Sequence, residues 1–351
     1  MSLTPFSSSS ASQSEAEDRE ALLRIYLGEL LPYLGLPGLH GEPPVDGVAE
    51  IMINTPDDIW MEQYGKMQRL DLRITPPEKL ENLTVRLAAM ARNIGGEGAI
   101  LTVYHWGLRI AATLPPTSMK GISLSIRRKV RIHVPLEEYA QSASPREELV
   151  IPAPRTRAEL LQFLRTIVEQ RKTILVAGGT SSGKTTFLNA LLSCIPPHER
   201  LITIEDSPEL EPTTDNCVRF ITSESLGIDA KMLIKQCLRY RPDRIVVGEV
   251  RGAEALDMLD ACNTGHDGSM TSIHANSPIE ALERLETLVL RSGIPWPHSA
   301  IRQTVSQAIH YVIQMRLNAE GKRAISAIME IQGMDPQSQT YRYQSIAIPE
   351  A

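Results

Sequence analysis

The sequence predicts an α/β domain built on a mostly parallel sheet, preceded by a smaller α+β domain. Three observations carry that prediction. Beyond residue 157, short apolar β-rich runs alternate with helical segments, as in a parallel sheet. Before residue 140, strand-like runs separated by turn residues dominate instead. Between them, residues 141–157 hold Ser142, Ser144, Pro145, Pro152 and Pro154, the composition of an interdomain linker.

A chain of 351 residues is long enough for two domains that each bury a core. Its net charge of −6 argues against a broad nucleic-acid footprint. The four cysteines, Cys194, Cys217, Cys237 and Cys262, lie far apart with no C-x-x-C pair. That spacing argues against a zinc site and a disulfide framework, and fits a reduced, cytoplasmic setting.

Residues 1–16 form a Ser-rich tail, expected to be disordered, without the basic and apolar regions of a secretory signal. The α+β domain, residues 17–140, opens with a Leu-rich helix from Arg19 to Tyr33, for which packing in the core and attachment to a membrane surface both stay open. Arg24, Glu29, Pro32 and Pro37 interrupt the apolar stretch Leu22 to Leu39, so it does not read as a transmembrane span. Val48 to Ile53 and Ile59 to Glu62 then flank the turn residues Asn54 to Asp58, which suggests a hairpin. Pro76-Pro77 opens a helix through Leu80, Leu83, Val85, Leu87, Ala88 and Ala91, closed by Gly95-Gly96. Strands Leu108 to Leu114 and Ile122 to Ile126 follow, divided by Pro115-Pro116, and the second runs into Arg127-Arg128-Lys129-Val130-Arg131. That cluster reads either as a solvated basic edge or as a phosphate contact.

The second domain, residues 158–351, starts with a helix from Ala158 to Gln170 and the core strand Thr173 to Ala177. Strands follow at Leu201 to Ile204, Cys217 to Ile221, Arg244 to Val247 and Met270 to Ile273, alternating with helices. Helices at Ile279 to Leu290 and Ser299 to Ala308 lead to three terminal strands, Tyr311 to Met315, Ala324 to Ile331 and Tyr341 to Ile346.

Directly after the first core strand, Gly178-Gly179-Thr180-Ser181-Ser182-Gly183-Lys184-Thr185 fits G-x-x-x-x-G-K-[ST] and leads into a helix that begins around Thr186. Glycines allow close backbone approach to an anion, and a helix N-terminus offers free N–H groups. Lys184 suits the β and γ phosphates and the Thr185 hydroxyl suits Mg²⁺. Residues 178–186 are therefore the candidate phosphate-binding set.

Ligands of open α/β sheets bind beyond the carboxyl ends of the strands, where three further groups fall. Glu249 follows Ile245-Val246-Val247-Gly248 and can polarise a water for attack on a γ phosphate, with a second role in holding Mg²⁺ through water. Glu205 follows Leu201 to Ile204, where holding metal-bound or attacking water competes with capping a turn; Asp206 and Glu209 are weaker candidates. His274 follows Met270 to Ile273 and can hydrogen-bond a γ phosphate, while His266 sits in the Gly265 to Gly268 turn, where a structural and a functional reading stand level.

The residues resemble the VirB11-like ATPases of type IV secretion, within the wider group of type II/IV secretion and pilus ATPases. Four motifs carry the resemblance: the Walker A loop at Gly178 to Thr185, an Asp box at Ile204 to Leu210, a Walker B at Ile245 to Gly252, and a His box from Thr264 through Asn276. The resemblance implies a RecA-like P-loop fold, ATP and Mg²⁺ as ligands, Glu249 as catalytic base, Glu205 supporting the metal and its water, and His274 sensing phosphate. It also implies phosphate-facing arginines, for which Arg109 and Arg127 are similar in setting, with Arg128 and Arg251 as further candidates. A homohexameric ring working with other type IV secretion components follows from it, peripheral on the cytoplasmic face of a bacterial inner membrane. A type IV pilus or type II secretion motor is the alternative within the same fold, and a nucleic-acid translocase the alternative from another class. Ser181 stands where many members carry Gly, and the chain lacks the tetracysteine module of many type II ATPases.

Overall fold

The computed structural model describes residues 21–90, 93–95, 98–105, 107–128, 151–318 and 320–349. The chain divides into two compact units, Met1–Pro135 and Leu136–Ala351. The expected tail, residues 141–150 of the expected linker, and Lys129-Val130-Arg131 lie outside the described residues.

In the first unit, period-two alternation builds an antiparallel sheet with one apolar face. Its strands are β1 (Val48–Thr55), β2 (Asp58–Gln63), β3 (Lys66–Leu70), β4 (Asn93–Gly95), β5 (Ile100–His105), β6 (Leu108–Thr113) and β7 (Ser123–Arg128). They lie in the order β3-β2-β1-β7-β6-β5-β4. Ile51 and Ile53 of β1, Leu108 and Ile110 of β6, and Leu124 and Ile126 of β7 share a core with Leu80, Leu83 and Leu87 of helix α1 (Glu78–Met90). Leu23, Leu27, Leu31 and Leu34 complete that core, so the first Leu-rich segment packs inward. It is not one helix through Tyr33: residues 21–27 are helical, and 3₁₀ turns follow at Gly28–Leu30 and Pro32–Leu34. Pro32 cannot donate to a continued helix, and Gly35, at φ 81°, ends the segment.

Three strands of this sheet, β3, β4 and β5, have no counterpart in the sequence reading. The helix opened by Pro76-Pro77 does not run to Gly95-Gly96, because Asn93–Gly95 pairs with β5 as a strand. Strand β3, whose side chains are mostly exposed, is an edge strand built of Lys66, Gln68 and Arg69 and so carries little apolar signal.

The second unit is α/β. Strands β8 (Ile174–Gly178), β9 (Leu201–Glu205), β10 (Cys217–Ile221), β11 (Arg244–Val247), β12 (Met270–Ile273), β13 (Tyr311–Leu317), β14 (Arg323–Met334) and β15 (Tyr341–Ile346) take the order β10-β9-β11-β12-β8-β13-β14-β15. From β10 to β13 every pairing is parallel, and β14 alone runs against the sheet, pairing antiparallel with β13 and with β15. Every residue of β8, β9, β11 and β12 is buried, the polar Thr203, Glu205, Arg244, Thr271 and Ser272 among them, as expected for parallel strands covered on both faces. The helices are α2 (Arg157–Glu169), α3 (Lys184–Leu192), α4 (Ala230–Cys237), α5 (Glu254–Asn263), α6 (Pro278–Leu290) and α7 (His298–Ala308).

Charged side chains fasten the amino ends of the central strands. Fully buried Arg244 donates from Nε to Glu199 Oε2 at 2.5 Å and from Nη2 to Glu199 Oε1 at 3.1 Å. Its Nη1 donates to the carbonyl of Val168 at 2.7 Å, tying α2 to the sheet. The carboxyl ends are left to the loops that carry the candidate site.

Candidate active site at the carboxyl ends of the parallel strands

Strand β8 ends at Gly178 and helix α3 begins at Lys184, so the intervening loop wraps the helix N-terminus. The turn needs left-handed backbone at two positions, Ser181 at φ 61° and Gly183 at φ 92°. Gly183 meets this without strain, whereas Ser181 bears a side chain in a region that favours glycine. Gly178 is glycine for a different reason: a Cβ there would lie 2.8 Å from the carbonyl oxygen of Met315 on β13. Gly179 faces open space, the requirement for an anion to approach the backbone.

Lys184 is 8% exposed and turns back over its own loop, donating to the carbonyls of Gly178 at 3.2 Å and Gly179 at 3.1 Å. Its Nζ also lies 3.3 Å from His274 Nδ1, and His274 Nε2 lies 3.1 Å from Glu249 Oε1. A neutral imidazole with its proton on Nε2 satisfies both neighbours: it donates to Glu249 and accepts from Lys184. Burial lowers the His274 pKa from its ordinary value; Glu249 opposes that fall, and Lys184 and Arg251 add to it. Burial likewise lowers the pKa of Lys184, again against the pull of Glu249. The loop, the β11 acid and the β12 histidine thus form one connected group.

Glu249 is clamped from its other side as well. Arg251 Nη2 donates to Glu249 Oε2 at 2.8 Å, and Arg251 Nη1 to Asp206 Oδ2 at 3.2 Å. The hydrogen bond to Glu249, then that carboxylate's charge, raises the Arg251 pKa above its ordinary value. Ser272 Oγ donates to the carbonyl of Gly248 at 2.7 Å, which fixes the turn carrying Glu249 against β12. A cavity of about 110 Å³ opens here, lined by Thr185, Glu205, Asp206, Ser207, Glu209, Gly248, Glu249 and Arg251.

Glu205 lines the cavity while its carboxylate is engaged in the backbone. Oε1 accepts from the N–H groups of Glu209 at 2.8 Å and Leu210 at 2.6 Å, and Oε2 lies 3.3 Å from Arg219 Nη2. Of its two sequence readings, turn capping describes these contacts.

His266 is not brought to the loop. Its Nδ1 lies 3.1 Å from the carbonyl of Ala261 near the end of α5, and its turn precedes β12, at the amino end of the sheet. Gly268 in the same turn abuts Arg171 and Arg244. The four residues of β12 alone separate that end from His274 by roughly 13 Å at the usual strand rise. The functional reading of His266 as a nucleotide contact therefore gives way to the structural one.

Arg109, Arg127 and Arg128 belong to the first unit. Arg109 and Arg127 stand opposite each other on β6 and β7, and Glu50 of β1 stands opposite Arg127. Buried Glu50 accepts from Ser125 Oγ and lies 4.0 Å from Arg109 Nη2. Arg128 instead packs over Gly35 and donates to the carbonyl of Val45 at 3.4 Å, a contact within the unit's own fold.

Sequence reasoning missed Arg219 and Arg323. Arg219 enters from β10, next to β9, and Arg323 donates from Nη1 to Thr186 Oγ1 at 3.1 Å across 137 positions of chain. No local pattern around residue 323 signals that approach.

A family model described as "Type II/IV secretion system protein" matches residues 109–346. The chain is 32% identical over 336 residues to the type IV secretion system protein PtlH of Bordetella pertussis, covering 90% of this chain and 96% of that one. It is 31% identical over 291 residues to the conjugal transfer protein TrbB of Rhizobium radiobacter, covering 82% and 84% of the two chains. The crystal structure of the VirB11 ATPase from the Brucella suis type IV secretion system, in complex with sulphate, matches with a TM-score of 0.75 at 30% identity, over 90% of this chain and 96% of that one.

Proposed function

Because the chain belongs to the type II/IV secretion system protein family and is a secretion motor ATPase of it, we propose that Lys184, Thr185, Glu249 and His274 carry its ATP hydrolysis. The observation that carries this assignment is the Lys184–His274–Glu249 chain of contacts, at 3.3 Å and 3.1 Å, across the mouth of the phosphate loop.

In this reading the β and γ phosphates replace the carbonyls of Gly178 and Gly179 as partners of Lys184, and a charge penalised by burial gains anionic neighbours. The N–H groups at the start of α3 hold the phosphate oxygens. Glu249 takes a proton from a water as its oxygen bonds to the γ phosphorus and the bond to the β-phosphate oxygen breaks, releasing ADP and phosphate. His274, freed from Lys184, keeps its contact with Glu249 and senses the γ phosphate.

The donors at this site fit Mg²⁺. The Thr185 hydroxyl and the carboxylates of Glu205, Asp206 and Glu249 are hard oxygen ligands, and no cluster of three or more His, Cys, Asp or Glu forms a metal cage among the described residues. An ion here would share its shell with phosphate oxygens and water, and would supply neutralisation of phosphate charge. Thr185 would hold it directly, with Glu249 acting through water; Glu205 supports the site chiefly by fixing the turn.

At the level of assembly, we read the protein as a homohexameric ring working with other type IV secretion components at the cytoplasmic face of an inner membrane. Relatives named for type IV secretion and conjugal transfer support the part of that reading that places the protein with other secretion components. Among the described residues no helix is long and apolar enough to cross a membrane. Arg109 and Arg127 are proposed as the first unit's contribution to phosphate binding.

The deciding experiment is Glu249→Gln. It is expected to bind MgATP with near wild-type affinity and to lose turnover by about two orders of magnitude or more. Wild-type turnover in that variant would remove Glu249 as the base.

A further inference from the structure

We propose that Arg323 is a nucleotide-binding residue, gripping the α-phosphate of a nucleoside di- or triphosphate from the side of the sheet opposite Glu249. The proposal rests on the ATPase reading above and adds a contact that none of the four motifs contains.

Arg323 opens β14, directly after the turn that joins it to β13. That turn is tightly held: Asn318 Oδ1 accepts from the N–H groups of Glu320 at 3.0 Å and Lys322 at 2.8 Å. β13 lies beside β8, with Met315 paired to Gly178, so the hairpin stands next to the phosphate loop. From there the aliphatic stem of Arg323 lies flat on Gly183, where a Cβ would meet Arg323 Cδ at 2.5 Å and Cγ at 3.0 Å. Gly183 therefore serves twice, by adopting φ 92° and by leaving room for the arginine. The guanidinium ends at Thr186, with Nη1 3.1 Å from its hydroxyl.

Strand order says which phosphate that position serves. β11 and β12, which deliver Glu249 and His274, lie on one side of β8, and β13 and β14 lie on the other. Lys184 and Thr185 take the β and γ phosphates and their metal. A phosphate chain whose γ end faces Glu249 extends its α end past Thr186 toward the hairpin. Arg323 is an exposed cation waiting there, with no carboxylate partner among the described residues. A guanidinium suits phosphate because it offers a planar fork of donors.

An α-phosphate contact is common to ADP and ATP, and this sets the test. Full-length wild-type protein and Arg323→Gln, which keeps most of the stem over Gly183 and removes the charge, are titrated with MgADP and with Mg²⁺ and a non-hydrolysable ATP analogue. The expected result is a rise in both dissociation constants by the same factor, roughly tenfold or more for a lost charged hydrogen bond, with Arg323→Lys in between. Hydrogen exchange on the wild type supplies a reading that needs no variant, since residues 317–324 become protected when MgADP is added. Unchanged affinities, a loss confined to the triphosphate, or a hairpin whose exchange ignores MgADP would overturn the α-phosphate assignment while leaving the ATPase reading in place. A wild type that binds neither nucleotide would instead remove that reading itself.

Discussion

Arg219 Nη2 lies 3.3 Å from Glu205 Oε2, so the acid at the end of β9 is held from the neighbouring strand while its other oxygen caps the Glu209-Leu210 turn. Both side chains are largely buried, at 19% and 3% exposure, and removing one strands the other. Glu205→Ala is expected to lower unfolding stability by about 3–5 kcal/mol, measured by denaturant titration. Glu205→Gln keeps the shape and one acceptor, and is expected to retain more stability than Glu205→Ala. A Glu205→Ala protein as stable as wild type would contradict the capping role.

Lys184 is held in a site that disfavours its charge before any phosphate arrives. Lys184→Met is therefore expected to melt at or above the wild-type temperature without nucleotide, and to lose the upward shift that MgADP gives the wild type. Differential scanning fluorimetry with and without MgADP measures both. A lower melting temperature in the nucleotide-free variant would show that the contacts with Gly178, Gly179 and His274 are net stabilising.

The sign of the His274 effect follows from its lowered pKa. The unfolded chain takes up the proton near the ordinary value of 6.5 and the folded chain only at lower pH, so stability falls as pH drops through the window below 6.5. His274→Asn is expected to flatten the melting-temperature profile between about pH 7.5 and 5.5. An equally steep profile in the variant would assign the acid sensitivity to other groups.

At the opposite end of the sheet, Glu199→Ala leaves Arg244 fully buried without its bidentate partner. A loss of about 3–5 kcal/mol is expected from urea unfolding, with nucleotide affinity in the folded fraction unchanged. A selective loss of nucleotide affinity at full stability would show coupling between the two ends of the sheet.

Much of this architecture was legible before any coordinates, because its signals are local. Ile174 to Ala177 of β8 and Ile245 to Val247 of β11 are short apolar runs, and the loop at Gly178 to Thr185 stands between a strand-like and a helix-like segment, the context that marks a phosphate loop. Edge strand β3 was not legible, since an exposed edge is free to be polar. The break of the first helix at Gly28 and Pro32 was written in the chain and outweighed by its leucine periodicity.

Residue order alone implies that acids and a histidine end the strands around a phosphate loop, since a parallel sheet brings those strand ends together. Their partners are set by the long-range pairing of the strands. Glu205 became a turn cap because Arg219 stands on the next strand, His266 fell to the amino end because β12 runs parallel to β8, and Arg323 reached Thr186 because β14 folds back antiparallel. Each of these depends on which strands are neighbours and in which direction they run, a property of long-range pairing that no window of sequence carries.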